Sequence, residues 1–189
     1  NPFIITLNDN KGKLLKVLED NKSLLNKMND FELVEKIFFS IPNDNNIDLN
    51  AWIMKPELLD TNKKHPLLIY VYGGPGINTV NNAWSWMNYF WFQYLVKQGF
   101  VVVSVDNRGT GYRGKEFKHA TYLQLGKLET EDQIDAAIHM GKLNYIDKDR
   151  IGIFGWSYGG YMSSLCISKG ADVFNSAIAV APVTNWRYY

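Results

Sequence analysis

Residues 155–159 read Gly-Trp-Ser-Tyr-Gly, which matches the pattern G-x-S-x-G. A serine hydroxyl in this pattern can act as a nucleophile in acyl transfer, although the string alone is weak evidence. Its context is stronger, because an apolar run at 151–154 precedes it and a helical pattern at 158–169 follows. A strand, a turn with the serine and a helix, in this order, are the setting in which a nucleophile elbow is found. We therefore predict that Ser157 is a nucleophile.

The motif needs glycine at both positions for a steric reason. The turn forces Ser157 into a strained backbone conformation, and side chains two residues before and after it would collide with the neighbouring strand and helix. The amide of Tyr158 then lies at a helix N-terminus, where it can donate to a developing oxyanion. The alternative is a tight structural turn in which the serine only caps the helix.

A second glycine-rich loop, Tyr-Gly-Gly-Pro-Gly at 72–76, follows an apolar run at 67–72. A loop in this place commonly supplies the other oxyanion donor. A tyrosine hydroxyl could supply that donor from a side chain, so Tyr72 is our candidate. The alternative is a plain turn whose glycines take positive φ.

A third loop, Asp-Asn-Arg-Gly-Thr-Gly at 106–111, contains G-x-G without the rest of a dinucleotide-binding fingerprint, which argues against nucleotide binding. We interpret Asp106 and Arg108 as structural charges that pair with nearby loops. Glu129 and Asp132, three residues apart on a predicted helix, are candidates for the partner of Arg108. Alternatively, both acids lie at a solvated helix start.

The elements that must position these loops follow from the apolar runs. Four runs show no alternation and suit strands buried on both faces of a parallel sheet: 67–72, 100–105, 151–154 and 177–180. Helices are predicted between them at 83–98, 129–144 and 158–169. The alternation predicts an α/β fold with a mostly parallel sheet. Upstream we predict a strand at 13–18, a helix at 22–28, and a hairpin formed by 34–41 and 49–54.

Two of these helices differ in their apolar pattern. In the helix at 129–144, Ile134, Ala137 and Ile138 share one face. The helix at 83–98 has aromatic residues on every face, namely Trp84, Trp86, Tyr89, Phe90, Trp91, Phe92 and Tyr94. A surface helix should show one apolar stripe. This helix is therefore either deeply buried or covered by a part of the protein outside this sequence.

Composition excludes several classes of function. The 20 basic and 19 acidic residues give a formal charge of +1, and no basic run suggests nucleic acid or an anionic membrane as a partner. No stretch of 18 apolar residues could span a bilayer. The lone cysteine, Cys166, excludes an intrachain disulfide, and we predict that it is a small buried hydrophobic residue.

Together these segments resemble the prolyl oligopeptidase family of serine peptidases, and within it the dipeptidyl peptidase IV branch. The likeness covers nearly the whole chain and is carried by V-Y-G-G-P at 71–75, D-N-R-G-T-G-Y at 106–112, L-G at 125–126 with Glu129 and Asp132, G-W-S-Y-G-G-Y at 155–161, and A-V-A-P-V at 179–183 with Trp186, Tyr188 and Tyr189. Residues 17–21 are similar to the last propeller segment of that branch.

The resemblance implies an α/β-hydrolase fold and a role for each site residue. Ser157 would be the nucleophile, and the Tyr72 hydroxyl and Tyr158 amide would form the oxyanion hole. The substrate would be bound by Tyr158, Val183, Trp186 and Tyr189, with Trp156 as a further contact. Such enzymes need no cofactor or metal and release dipeptides from N-termini whose second residue is proline or alanine.

The resemblance also implies a domain organisation. Residues 1–40 would be the end of a β-propeller and a connector, and residues 41–189 would be the N-terminal part of the α/β-hydrolase domain. The propeller would cover the site, and the full-length enzyme would be a homodimer acting on peptides. A periplasmic, cell-surface or secreted location is favoured.

One departure concerns the rest of the catalytic triad, which in α/β hydrolases follows the chain order Ser, Asp, His. The three histidines, His65, His119 and His139, all precede Ser157, and the only later aspartate, Asp172, comes too early. A serine hydroxyl without a base is a weak nucleophile. We therefore expect the acid and base beyond Tyr189, and the glutamates that bind the substrate amino-terminus in the propeller.

Three functions are compatible with these residues. The first is a serine exopeptidase that forms an acyl-enzyme on Ser157. The second is an endopeptidase, acylaminoacyl peptidase or esterase of the same fold. The third is a non-catalytic α/β-hydrolase domain used for binding or assembly, against which the intact Ser157, Tyr72 and glycines argue.

Overall fold

The computed structural model describes residues 2–84 and 87–189. The first element along the chain is a β-hairpin. Its strands β1 (Ile5–Asn8) and β2 (Leu14–Glu19) pair antiparallel, and every residue of both strands is exposed. The turn between them is closed by Asp9, whose Oδ1 accepts from the main-chain N–H groups of Lys11 and Lys13 at 2.9 Å each. Helix α1 (Lys22–Met28) follows with the predicted bounds.

The remaining strands form one six-stranded sheet. They are β3 (Ile37–Pro42), β4 (Asp48–Met54), β5 (His65–Val71), β6 (Val101–Val105), β7 (Ile146–Trp156) and β8 (Ser176–Val180), in the spatial order β3-β4-β6-β5-β7-β8. β3, β4 and β6 pair antiparallel, which confirms the predicted hairpin. β6, β5, β7 and β8 are parallel. The predicted α/β fold with a mostly parallel sheet is therefore confirmed.

Helices cover both faces of this sheet. They are α2 (Met87–Lys97), α3 (Gly114–His119), α4 (Leu128–Gly141) and α5 (Tyr158–Lys169), followed by a 3₁₀ turn at Trp186–Tyr188. One core cluster includes Ile69 and Ile153 from the sheet with Met140 of α4 and Met162 of α5. A second packs α2 on the opposite face, which explains why the central strands lack alternation. No helix of the described residues is long and apolar enough to cross a bilayer.

Helix α2 has one buried face. Phe92, Leu95 and Val96 pack into the core, so the interpretation that the whole helix is deeply buried is wrong. The outward side remains aromatic, with Phe90, Trp91 and Tyr94 exposed by 40%, 40% and 55%. Trp86 lies outside the described residues. Cover of this side by another part of the protein stays a prediction.

The side chain of Gln93 ties the segment before β3 to α2. Its Nε2 donates to the Val34 carbonyl at 2.7 Å, and its Oε1 accepts from the Val34 N–H at 3.0 Å. A buried amide that pairs with both main-chain groups of one residue holds that residue as a strand partner would.

Helices α4 and α5 differ in what they bury. Cys166 on α5 is fully buried, as predicted, and burial raises the pKa of its thiol to about 12. The predicted apolar face of α4 is only partly right, because Ile138 is 42% exposed. The buried face of α4 instead includes four polar side chains, Glu129, Thr130, Asp132 and Gln133.

Candidate active site

Ser157 lies alone between the end of β7 and the start of α5. Its backbone has φ 58° and ψ −115°, a strained conformation for a residue other than glycine. The Ser157 N–H donates to the carbonyl of Val180 on the neighbouring strand at 2.9 Å, and its own carbonyl accepts from the N–H of Tyr161 at 3.1 Å. The predicted strained turn is therefore confirmed, and contacts on both sides hold it.

The glycines around Ser157 are required by main-chain neighbours. A Cβ on Gly155 would lie 2.6 Å from the carbonyl oxygen of Val71, and a Cβ on Gly159 would overlap the same oxygen. A Cβ on Gly160 would lie 2.6 Å from the carbonyl oxygen of Val180. Real Cβ atoms do not come this close to backbone, so the steric prediction is confirmed for both sides of the elbow.

Tyr72 and Tyr158 lie side by side at the carboxyl ends of β5 and β7. The two strands are parallel neighbours with Val71 opposite Gly155, so the residues that follow them meet at one edge of the sheet. The ring centroids of Tyr72 and Tyr158 are 6.0 Å apart. Tyr158 is the first residue of α5, where a main-chain N–H lacks an intrahelical partner. The structure thus places the Tyr72 ring beside that of Tyr158, the residue that follows Ser157.

Gly74 lies against both of these rings. A Cβ there would lie 2.7 Å from Cε1 of Tyr72 and 3.0 Å from Cγ of Tyr158. Gly73 and Gly76 have a φ of 74° each, so the plain-turn interpretation accounts for those two glycines. The same loop therefore turns the chain and leaves room for the Tyr72 ring.

The structure brings only some of the predicted substrate-binding residues into contact with one another. The Tyr158 ring contacts that of Trp186 at 5.6 Å, and Trp186 contacts Tyr189 at 5.3 Å. Val183 is half-buried on the same segment after β8, and Tyr189 is 87% exposed. Trp156 is 61% exposed and belongs to none of these ring pairs.

Glu129 is fully buried next to Tyr158, a contact that the sequence interpretation missed. The Tyr158 hydroxyl donates to its Oε1 at 2.6 Å, and the Gly126 N–H donates to its Oε2 at 2.9 Å. Burial raises the pKa of Glu129, while the Tyr158 hydrogen bond acts in the opposite direction. The pKa of the Tyr158 hydroxyl is also raised, by burial first and then by Glu129. An acidic residue in a helix's first turn carries no sequence signal that separates this role from an exposed one.

Asp132 rather than Glu129 is the partner of Arg108. Arg108 Nη2 donates to Asp132 Oδ1 at 2.7 Å, and the Arg108 main-chain N–H donates to Oδ2 at 2.7 Å. Asn43 Nδ2 donates to Asp132 Oδ1 at 2.8 Å from the turn between β3 and β4. Glu129 as the partner is wrong, because its carboxylate instead accepts from the Tyr158 hydroxyl and the Gly126 N–H. The solvated helix start is also wrong, because both carboxylates are buried.

Asp106 holds the loop that follows β5. Its carboxylate accepts from Asn78 Nδ2 at 2.7 Å and from the Thr79 N–H at 2.8 Å. The prediction that Asp106 pairs with a nearby loop is confirmed. This loop continues from the segment of Tyr72, so Asp106 supports one side of the candidate site.

No hydrogen bond joins any of the three histidines to Ser157 among the described residues. His65 lies at the start of β5, at the opposite end of that strand from Tyr72, and its ring nitrogens contact main-chain carbonyls of Gly99 and Asp60. His139 lies ten residues after Glu129 on α4, which is about 15 Å along a helix axis. His119 is exposed at the end of α3. Among the described residues, the Ser157 hydroxyl has no hydrogen-bond partner.

Comparison with known proteins decides the family. Residues 86–189 match the model of the prolyl oligopeptidase family. The chain belongs to the prolyl oligopeptidase family. It is 41% identical to prolyl endopeptidase FAP of Bos taurus over 190 residues, which are 98% of this chain and 24% of that relative. It is also 41% identical to the probable dipeptidyl-aminopeptidase B of Arthroderma benhamiae over 189 residues, 98% of this chain and 20% of that relative.

A solved structure agrees with this membership. The crystal structure of Porphyromonas gingivalis dipeptidyl peptidase 4 matches with a TM-score of 0.89 and 42% sequence identity, covering 100% of this chain and 26% of that chain. The resemblance to dipeptidyl peptidase IV-like serine peptidases and the α/β-hydrolase fold are therefore confirmed. This member of the prolyl oligopeptidase family spans about a fifth to a quarter of the length of the relatives that it matches.

Proposed function

We propose that the protein carrying this chain is a serine exopeptidase that releases N-terminal dipeptides with proline, or alanine, at the second position. The observation that carries the proposal is the strained backbone of Ser157, with φ 58°, at the end of a parallel strand and beside Tyr72 and Tyr158. Strain of this kind clusters at active sites. The family supports a peptide as the substrate.

In the proposed reaction, Ser157 Oγ attacks the carbonyl carbon before the scissile bond. The resulting oxyanion accepts hydrogen bonds from the Tyr158 N–H and the Tyr72 hydroxyl. A general base takes the serine proton and delivers it to the leaving nitrogen as the C–N bond breaks. Water then adds to the acyl-enzyme ester and releases the dipeptide. We propose that the acid and base come from outside these 189 residues.

The aromatic residues near Tyr158 support the preference for proline. Tyr158, Val183, Trp186 and Tyr189 carry no charge, and flat rings can pack on the faces of a pyrrolidine ring. An apolar wall offers no partner to a charged side chain, whose unpaired burial is costly. We propose Trp156 as a further contact at the rim, because its ring is largely exposed.

We also propose the wider organisation of the full-length enzyme. Residues 1–40 would lead from a β-propeller that covers the site, and residues 41–189 would begin the catalytic domain. The exposed apolar side chains of β1 and β2, such as Leu7, Leu15 and Leu18, are consistent with further β-structure against them. Homodimerisation of the full-length enzyme is part of the same proposal.

The test uses the full-length enzyme and dipeptide nitroanilides that differ only at the second residue. Gly-Pro should be cleaved best, Gly-Ala more slowly, and Gly-Arg or Gly-Phe hardly at all. A serine-directed fluorophosphonate should label the wild type and not Ser157→Ala. Equal kcat/KM for Gly-Arg and Gly-Pro would refute the pocket, and undiminished activity in Ser157→Ala would refute the nucleophile.

A second candidate function, endopeptidase activity, is favoured by the similarity to prolyl endopeptidase FAP. The two activities differ in whether the substrate needs a free amino-terminus. Gly-Pro-nitroanilide and its N-acetylated form therefore make a matched pair. An exopeptidase should cleave only the free form, whereas cleavage of the blocked form would favour the endopeptidase.

A further inference from the structure

The buried carboxylate of Glu129 links three segments at the base of the candidate site. Oε1 accepts from the Tyr158 hydroxyl at 2.6 Å, and Oε2 accepts from the Gly126 N–H at 2.9 Å. Glu129 has an exposed fraction of 0%, so water does not compete for these bonds. The first turn of α4, the first turn of α5 and the loop at Gly126 are thereby held in one arrangement.

Tyr158 depends on this carboxylate for its polar contact. Its ring packs between the rings of Tyr72, Tyr161 and Trp186, at centroid distances of 6.0, 5.5 and 5.6 Å. The hydroxyl donates to Glu129 alone among the described residues. Ring contacts leave some freedom of tilt and sliding, whereas a short hydrogen bond to a charged acceptor fixes the end of the ring.

We propose that Glu129 is a positioning residue for catalysis, which acts by fixing the Tyr158 side chain and with it the adjoining main-chain N–H. The inference rests on the proposed function, in which that N–H donates to the oxyanion and the ring lines the pocket. The effect should therefore appear in the transition state, where the oxyanion exists, more than in substrate binding.

Glutamine is a poor substitute for this carboxylate. Both oxygens of Glu129 face hydrogen-bond donors, the Tyr158 hydroxyl and the Gly126 N–H. A glutamine amide has one acceptor oxygen and one NH₂ group. With its oxygen on the Gly126 N–H, the NH₂ group can only donate to the Tyr158 hydroxyl oxygen, which reverses that bond and removes its charged acceptor. Glu129→Gln therefore keeps the size of the side chain while removing the charged acceptor of the Tyr158 hydroxyl.

Thr130 offers a matched control in the same turn of α4. It is buried, and its Oγ1 donates to the Gly126 carbonyl at 2.6 Å without contacting Tyr158. Thr130→Val keeps the shape and removes that bond. If Glu129 and Thr130 only stabilised the loop at Gly126, Glu129→Gln and Thr130→Val would have the same effect on catalysis.

The experiment measures kcat and KM for Gly-Pro-nitroanilide in the full-length enzyme with Glu129→Gln, Tyr158→Phe, the double variant and Thr130→Val. We expect Glu129→Gln to lower kcat about tenfold or more, a fraction of the loss on removing an oxyanion donor, with KM changed less than about threefold. Thr130→Val should keep the wild-type kcat. The double variant should lose no more than the larger single loss, because both changes break one interaction.

Several outcomes would overturn the proposal. These are equal kcat losses in Glu129→Gln and Thr130→Val, or losses that multiply in the double variant. If Glu129→Gln fails to fold, Tyr158→Phe carries the test, since it keeps the carboxylate and removes only the hydroxyl; a wild-type kcat there would refute the inference. Ser157→Ala tests the proposed function separately from the role of Glu129, because full activity in that variant would refute the proposed function itself.

Discussion

Arg108 and Asp132 form a buried ion pair in which both the guanidinium and the main-chain N–H of the arginine donate to one carboxylate. The two shortest of these bonds are 2.7 Å each, and the exposed fractions of the two residues are 8% and 0%. The pair joins the loop after β6 to the same helical turn that contains Glu129. Support for the candidate site therefore comes from a charge pair that does not touch Ser157.

Removing one member of this pair should destabilise the fold strongly. Asp132→Ala leaves the Arg108 guanidinium buried without its main partner, which typically costs about 3–5 kcal/mol. The measurement is the denaturant midpoint of the full-length enzyme at unchanged slope. Asp147→Ala, which breaks the exposed pair with Arg150, is the control and should leave the midpoint nearly unchanged. Equal shifts in the two variants would contradict the prediction.

Alanine at Gly155 should prevent the elbow from forming. Its Cβ would lie 2.6 Å from the Val71 carbonyl oxygen, and main-chain atoms of a central strand cannot move aside cheaply. We expect little soluble, folded protein, as judged by yield and circular dichroism. Gly141→Ala on α4 is the control, because its Cβ would make an ordinary 3.5 Å contact with Ile151 Cδ1. Normal yield and fluorophosphonate labelling of Gly155→Ala would show that the elbow tolerates a side chain.

Loss of the Tyr72 hydroxyl should lower kcat with little change in stability. Tyr72→Phe keeps the ring that packs beside Tyr158 and removes only the proposed donor, and removal of one oxyanion donor costs about 10²–10³ in kcat. Tyr145→Phe, before β7 and away from the site, is the control and should behave as wild type. A kcat within about threefold of wild type in Tyr72→Phe would mean that the donor lies elsewhere.

The buried Glu129 should make stability depend on pH in a defined direction. Burial raises its pKa in the folded state above the unfolded value of about 4.3, so the folded state binds this proton more tightly. The stability that this group contributes is present below the unfolded pKa and is lost as pH rises through the folded pKa. Glu129→Gln does not titrate there. The unfolding free energy of wild type minus that of Glu129→Gln should therefore fall as pH rises from about 4, as followed by urea denaturation; a constant or rising difference would refute the assignment.

The elements that sequence patterns could predict are those with a local physical signature. Strands buried on both faces lack alternation, which identified β5 and β6 to within two residues of their observed bounds. The elbow was predictable because the glycines at 155 and 159 reflect one steric requirement. The short elements β1 and α3, with 4 and 6 residues, were missed because neither is long enough to show a period.

The contacts that sequence patterns could not predict are long-range and polar. Glu129 and Tyr158 are 29 residues apart, and an acid in the first turn of a helix looks the same whether water or a buried hydroxyl is its partner. The choice of Asp132 rather than Glu129 for Arg108 likewise depends on how α4 rotates against the sheet. The apolar pattern misjudged that rotation, because it placed Ile138 inside and overlooked the buried polar side chains.

The segment after β8 has a consequence for redesign of the enzyme. Three of the proposed pocket residues, Val183, Trp186 and Tyr189, lie within seven consecutive positions. The main-chain atoms that pack against the elbow from this side, those of Val180 and Pro182, lie just before this stretch, whereas Trp186 contacts the elbow through its ring, which packs on Tyr158. Substrate preference could thus be changed by replacing residues 183–189 alone, without altering the nucleophile turn. Libraries confined to 183–189 should keep a far larger share of folded members than libraries that include 155–160, where every glycine meets backbone.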